Sequence, residues 1–306
     1  MHHGPTLAFK DIAMQVLGGM YEFLLKDNNK KINLVTATSG DTGAAAIDAI
    51  QGKKNINIFV LHPHNKISSV QRQLMTTYNA NNVFNLAIKG SFDDCQKIVK
   101  DMFVDQDFAK KINMSGVNSI NWARIIAQIV YYFFIFYKFS DCQRPVVVSV
   151  PTGNFGDIYA GYVAKKMGLN IKELIVATNQ NNILQRCIVS GEYKPTTVVQ
   201  SISPSMDIQV ASNFERILFY LCDENSEELR TLMNDLKNIG YFKLSNKQLE
   251  NLKDHFSASS CNEDETLSII KNIYNKFNYL IDPHTATGAK PLLDDKYKKE
   301  PCFCFE

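Results

Sequence analysis

The chain has 306 residues, 45% of them hydrophobic and 21% charged, so burying a sizeable core is easy. Single cores stop growing near roughly 250–300 residues, which makes two packed subdomains the natural expectation. A net charge of +2 argues against a broad polyanion-binding surface, and so against nucleic acid as a partner. The seven cysteines are odd in number and lie mostly in apolar or helical text, which fits a reducing, cytoplasmic compartment. Cys302 and Cys304 have no second pair of ligands nearby, so no metal site is expected. No apolar run reaches the ~20 residues needed to span a membrane. The strongest one, from Ile125 to Tyr137, is flanked by Arg124 and Lys138 and suits a buried helix.

In chain order, helices are expected near 11–26, 42–52, 66–79, 92–110, 121–139, 156–168 and 181–190. Strands are expected at 32–38, 56–61, 83–88, 146–150 and 174–178, near-continuously apolar as two-sided parallel strands should be. Alternation at these lengths predicts an α/β fold of βαβ units around parallel sheets. After about residue 200 the texture changes. Helices are expected at 205–222, 226–238, 246–255, 263–278 and 284–297, with little strand signal and a polar stretch at 257–265.

Lys10 stands in His3-Gly4-Pro5-Thr6-Leu7-Ala8-Phe9-Lys10-Asp11, among apolar neighbours that favour a nucleophilic amine. On those neighbours alone it reads more simply as an exposed lysine, with Asp11 as a helix cap. Thr38-Ser39-Gly40-Asp41-Thr42-Gly43 follows a strand and opens an Ala-rich helix, where free N–H groups suit an anion. Asp41 would repel a phosphate placed directly on it, and a capped helix start is an equal reading. Asn118-Ser119-Ile120-Asn121-Trp122-Ala123-Arg124 opens the apolar helix. Arg124 there suits a bidentate grip on a phosphate, whereas the sole tryptophan, Trp122, reads as core. Pro151-Thr152-Gly153-Asn154-Phe155-Gly156 repeats the strand–turn–helix design without an acidic side chain before Asp157, and is the better phosphate cradle. It matches neither the dinucleotide fingerprint nor the Walker pattern.

Together and in this order, these segments resemble the threonine synthases, fold-type-II pyridoxal-phosphate enzymes, in their longer bacterial and fungal form. The resemblance runs through 3–11, 36–43, 92–96, 118–124, 148–161, 203–216 and 282–290. It implies two parallel-sheet subdomains with the cofactor in the cleft between them. Residues 1–31 and 116–306 would belong to the large domain and 32–115 to the smaller one. It also implies that Lys10 carries pyridoxal 5'-phosphate and is the catalytic base. Asp41 would lie beside the cofactor's ring hydroxyl, and Gly153, Asn154, Phe155 and Gly156 would cradle its phosphate. Thr42, Ser119, Arg124 and Asn154 align with residues that hold the substrate phosphate.

The implied reaction converts O-phospho-L-homoserine and water to L-threonine and phosphate, in a monomer or homodimer. The alternatives are a phospholyase giving 2-oxobutyrate and an inactive remnant. Ser205-Met206-Asp207 and Asn213-Phe214-Glu215-Arg216 also match, with a packing or substrate-closure role implied. His284 matches too, and a helix-start cap and a catalytic contact both remain open for it. Against the family pattern the chain is expected to be truncated at both ends. Lys10 comes early, and Cys302-Phe303-Cys304-Phe305-Glu306 resembles the strand before a further family motif, whose hydroxyl faces the pyridine nitrogen.

Overall fold

The computed structural model describes residues 4–26, 30–141 and 143–305; His3, Cys142 and Glu306 lie outside the described residues. The chain divides into two units, Met1–Ala127 and Gln128–Glu306.

The first unit opens with α1 (Lys10–Leu25), then β1 (Ile32–Ala37), α2 (Asp41–Ile50), β2 (Ile56–Pro63), α3 (Ser69–Thr76) and β3 (Val83–Ile88). It continues with α4 (Phe92–Val104), α5 (Gln106–Lys111) and the short β4 (Met114–Ser115). The strands form one sheet in the order β3-β2-β1-β4 with parallel pairing throughout. Both faces are covered, as a parallel sheet requires. Met14, Leu17, Leu34, Ile47, Ile58 and Met75 form the core on the side of α1 and α2. Val35, Leu61, Cys95 and Val99 form the core beneath α4. Helices α1 and α2 approach closely because Gly18 has no side chain: a Cβ there would meet the Ala49 carbonyl oxygen at 2.7 Å. The edge strand β3 departs from the two-sided reading, with Phe84 and Leu86 exposed.

Helix α6 (Trp122–Phe139) runs across the division between the units. It is not the buried helix its apolar run suggested. Val130 is 61% exposed and Phe134 54%, while Ile125, Ile129, Tyr132 and Phe136 on other faces are buried. Trp122, expected in the core, is 45% exposed.

The second unit continues with β5 (Val146–Pro151), α7 (Gly156–Lys166), β6 (Ile171–Thr178), α8 (Ile183–Ser190) and β7 (Glu192–Tyr193). Then come α9 (Phe214–Leu221), α10 (Ser226–Asn238), β8 (Phe242–Lys243), α11 (Asn246–His255) and β9 (Phe256–Ser260). It closes with α12 (Glu263–Phe277), α13 (Pro283–Leu292) and β10 (Cys302–Cys304). Its main sheet has the order β10-β5-β6-β9, again parallel, and β7 pairs antiparallel with β8. Helix α13 lies against β5, where the Ser149 hydroxyl donates to the Gly288 carbonyl at 2.6 Å. No helix among the described residues is long and apolar enough to cross a membrane.

The helix expected at 92–110 is two, α4 and α5, because the Asp105 carboxylate accepts from Phe108 N–H and restarts the chain as a new cap. The polar stretch after 256 contains β9, whose Ser and Ala residues pair with β6 at the sheet edge. A small-residue edge strand carries no apolar signal to find. Only 214–221 of the expected 205–222 helix is α-helical, preceded by one 3-10 turn, Pro204–Met206. The remainder is held as a strap by polar side chains described below.

Candidate active site

Lys10 is the first residue of α1 and is presented by a tied loop. The Asp11 carboxylate accepts from Thr6 N–H at 2.9 Å, from the Thr6 hydroxyl at 2.5 Å and from Ala8 N–H at 3.4 Å. Asp11 therefore fixes the approach to the helix rather than capping it in the ordinary sense. Lys10 is buried, only 9% exposed. Its Nζ donates to Asp41 Oδ2 at 3.2 Å and lies 4.7 Å from the centre of the Phe9 ring. The amine thus sits in an ion pair, not among apolar groups alone.

Asp41 opens α2 directly after β1, at the carboxyl edge of the first sheet, where ligands of open α/β folds bind. Its second oxygen, Oδ1, accepts from Gln71 Nε2 at 2.6 Å. Gln71 reaches across from α3 over Gly40, whose backbone has φ +141 and whose hypothetical Cβ would collide with the Gln71 amide. Behind the turn, the Thr38 hydroxyl accepts from both Gly40 N–H and Gly43 N–H, each at 2.9 Å. The helix start is thus partly capped from within, and Thr42 stands in its first turn.

Ser119 lies in the loop before α6. Beside it Asn118 Oδ1 accepts from the Thr36 hydroxyl at 2.9 Å, tying that loop to β1. Asn121 Oδ1 caps α6 by accepting from Ala123 N–H. Arg124 is 2% exposed, and its Nη1 donates to the Val117 carbonyl at 3.1 Å. The first unit therefore brings Lys10, Asp41 and the unforeseen Gln71 into one hydrogen-bonded chain.

In the second unit, residues 151–156 form the turn between β5 and α7. Phe155 adopts a left-handed conformation, φ 63 and ψ 9, which is costly for a bulky residue. Its ring offsets that cost by packing between Phe214 at 5.1 Å and Phe256 at 5.3 Å between centroids. The ring points inward while the backbone N–H groups of Gly153, Asn154, Phe155 and Gly156 have no acceptor among the described residues. Gly153 lies so close to the strap that a Cβ would meet the Ser205 carbonyl oxygen at 2.6 Å.

The strap, 201–213, is anchored by a polar knot. The Asp207 Oδ1 atom accepts from Asn179 Nδ2 at 2.8 Å, Asn181 Nδ2 at 2.9 Å and the Ser201 hydroxyl at 2.6 Å. Its Oδ2 accepts from Ser201 N–H at 2.9 Å. His284 adds a tie. Ser205 N–H, which can only donate, meets His284 Nε2 at 3.3 Å, so that nitrogen is an acceptor. The proton is on Nδ1, 3.1 Å from Asp282 Oδ1. His284 links the start of α13 to the strap.

Taken one unit at a time, these residues suit pyridoxal phosphate: the first holds a buried amine paired with a carboxylate, and the second a strained turn whose N–H groups suit an anion. The family model for pyridoxal-phosphate dependent enzymes matches residues 1–234. The chain belongs to that family, whose cofactor is pyridoxal phosphate. Within it, the chain is 46% identical over 290 residues to a threonine synthase of Pseudomonas aeruginosa and 44% identical over 313 residues to that of Saccharomyces cerevisiae. These alignments cover 95% and 94% of this chain but 62% and 61% of the relatives, so it spans about three fifths of their length. A PLP-bound threonine synthase structure from Brucella melitensis superposes with a TM-score of 0.93 at 48% identity, over 99% of this chain and 65% of that one.

Proposed function

We propose that the protein is a threonine synthase, converting O-phospho-L-homoserine and water to L-threonine and phosphate. The observation that carries this reading is the buried Lys10 amine held 3.2 Å from Asp41, where the resemblance to the threonine synthases implies the cofactor lysine. Bound pyridoxal phosphate supplies an electron sink for charge developing at the substrate's α carbon.

The chain's own residues supply the rest. Lys10 would hold the cofactor, and its free amine would take the α proton and, once it has passed that proton on, a β proton. Asp41 orients that amine. Gly153, Asn154, Phe155 and Gly156 bind the cofactor phosphate through N–H groups at the start of α7. Thr42, Ser119, Arg124 and Asn154 hold the substrate phosphate, which leaves from the γ carbon before water adds at the β carbon. Arg124 is suited to stabilising the departing charge. On the same resemblance, 1–31 and 116–306 form the large domain and 32–115 the smaller one. We place the protein in the cytoplasm, a setting consistent with the free thiols of Cys95, Cys187, Cys222 and Cys261.

The test is a product assay on purified protein supplied with pyridoxal phosphate and phosphohomoserine. Threonine and phosphate in equal amounts are expected. Dominant 2-oxobutyrate would assign a phospholyase instead, and no turnover with no cofactor bound would leave an inactive relative.

A further inference from the structure

Asn154 has donors and acceptors, yet it presents only donors outward. Its backbone carbonyl accepts from Asn213 N–H at 3.0 Å and from Asn213 Nδ2 at 3.2 Å. Its side-chain Oδ1 accepts from the Ser212 hydroxyl at 3.1 Å and faces Ser212 N–H at 3.4 Å. Of these two donors the hydroxyl is the nearer, and it is what holds the amide with its oxygen towards Ser212. Both acceptors of Asn154 are thereby occupied. Its Nδ2 group and backbone N–H have no acceptor among the described residues.

We propose that Ser212 is a positioning residue that turns the Asn154 amide so its NH2 group faces a bound phosphate monoester. The inference rests on reading 151–156 as a phosphate-binding turn. A phosphate dianion only accepts hydrogen bonds, so an asparagine able to flip would offer it an oxygen half of the time and repel it. Ser212 removes that second state. Its own position is set independently of the Asn154 side chain, because Asn213 beside it donates to the Asn154 backbone carbonyl and Asp207 anchors the strap on Asn179 and Asn181. The exposed Ser212 hydroxyl is therefore part of a rigid frame, placed before any ligand arrives.

The phosphate is either the cofactor's or the substrate's, and two measurements separate them. The first is the ratio of affinities for pyridoxal phosphate and pyridoxal, which isolates the cofactor phosphate. The second is the affinity of the pyridoxal-phosphate-loaded protein for inorganic phosphate, which probes a substrate subsite. In Ser212→Ala one of these falls by about fivefold, the measure of one hydrogen bond. Ser212→Thr, which keeps the hydroxyl, restores it. Because Ser212 acts through Asn154, the Ser212→Ala/Asn154→Ala double variant binds no more weakly than Asn154→Ala alone. An unchanged Ser212→Ala in both measurements, or losses that add in the double variant, overturns the proposal. If Asn154→Ala itself changes neither quantity, it is the reading of the turn that fails, and the role of Ser212 with it.

Discussion

Gln71 donates to Asp41 at 2.6 Å and so occupies the carboxylate oxygen that Lys10 does not use. A carboxylate with both oxygens engaged cannot rotate away from the amine it orients. Replacing Gln71 with Met removes the donor at similar volume. A hydrogen bond to a charged group contributes roughly 1.5–3 kcal/mol, so Gln71→Met is expected to weaken cofactor retention by at least tenfold. A fluorescence titration with pyridoxal phosphate measures this; Gln71→Met binding as tightly as the native chain would mean that Asp41 is held by Lys10 alone.

Gly153→Ala tests the closeness of turn and strap. The added Cβ would stand 2.6 Å from the Ser205 carbonyl oxygen, a backbone atom that cannot swing aside. Overpacking of this kind costs about 1–3 kcal/mol. Both the melting temperature and the affinity for pyridoxal phosphate should fall. A normal melting temperature with normal affinity would show that the strap moves freely.

Asp207→Ala leaves four donors, on Asn179, Asn181 and Ser201, without their shared acceptor. The Asn179 amide keeps the Ser201 and Ser203 hydroxyls and the Asn181 amide keeps the Val199 carbonyl, so what is lost is the charged acceptor they share. A hydrogen bond to a charged group contributes roughly 1.5–3 kcal/mol, and urea unfolding should show a loss of about 2 kcal/mol or more. Asp207→Asn, which keeps an acceptor oxygen, should recover part of it.

Asp282 gives a pH dependence. Burial pushes its carboxyl up, but hydrogen bonds from His284 and Thr285 outweigh that and bring it from the ordinary 3.8 down to about 2. A group depressed in the folded state contributes stability above its unfolded value and loses it as pH falls through its folded value. The native chain should therefore be more stable than Asp282→Asn at pH 5, as read by urea unfolding. The gap should close as pH falls from about 4 towards about 2. A gap that stays constant over that range would show that the charge on Asp282 is immaterial.

Much of this was legible in the sequence, for reasons that differ by element. Strands β1, β2, β5 and β6 are apolar runs between helical text, and the helices expected at 226–238 and 246–255 match α10 and α11 as found. Lys10 and Asp41, 31 residues apart, do meet. Gln71 was missed because it lies on α3 with no motif, and only the fold carries it over Gly40. The strap was misread as helix because Ala211, Phe214 and Leu218 have true helical spacing, which was carried back too far along the chain. The knot of Asp207 with Asn179 and Asn181 wins over that local preference, and it pairs residues far apart in the chain. Strand β9 was missed because Ser257, Ala258, Ser259 and Ser260 pair at an edge, where little burial is demanded.

The central claim is that Lys10 holds the cofactor. The most direct measurement is borohydride reduction of the protein loaded with pyridoxal phosphate, followed by peptide mass spectrometry. A stable phosphopyridoxyl adduct on Lys10, absent from Lys10→Ala, is predicted. An adduct on another lysine, or none on a folded native chain, would contradict the account.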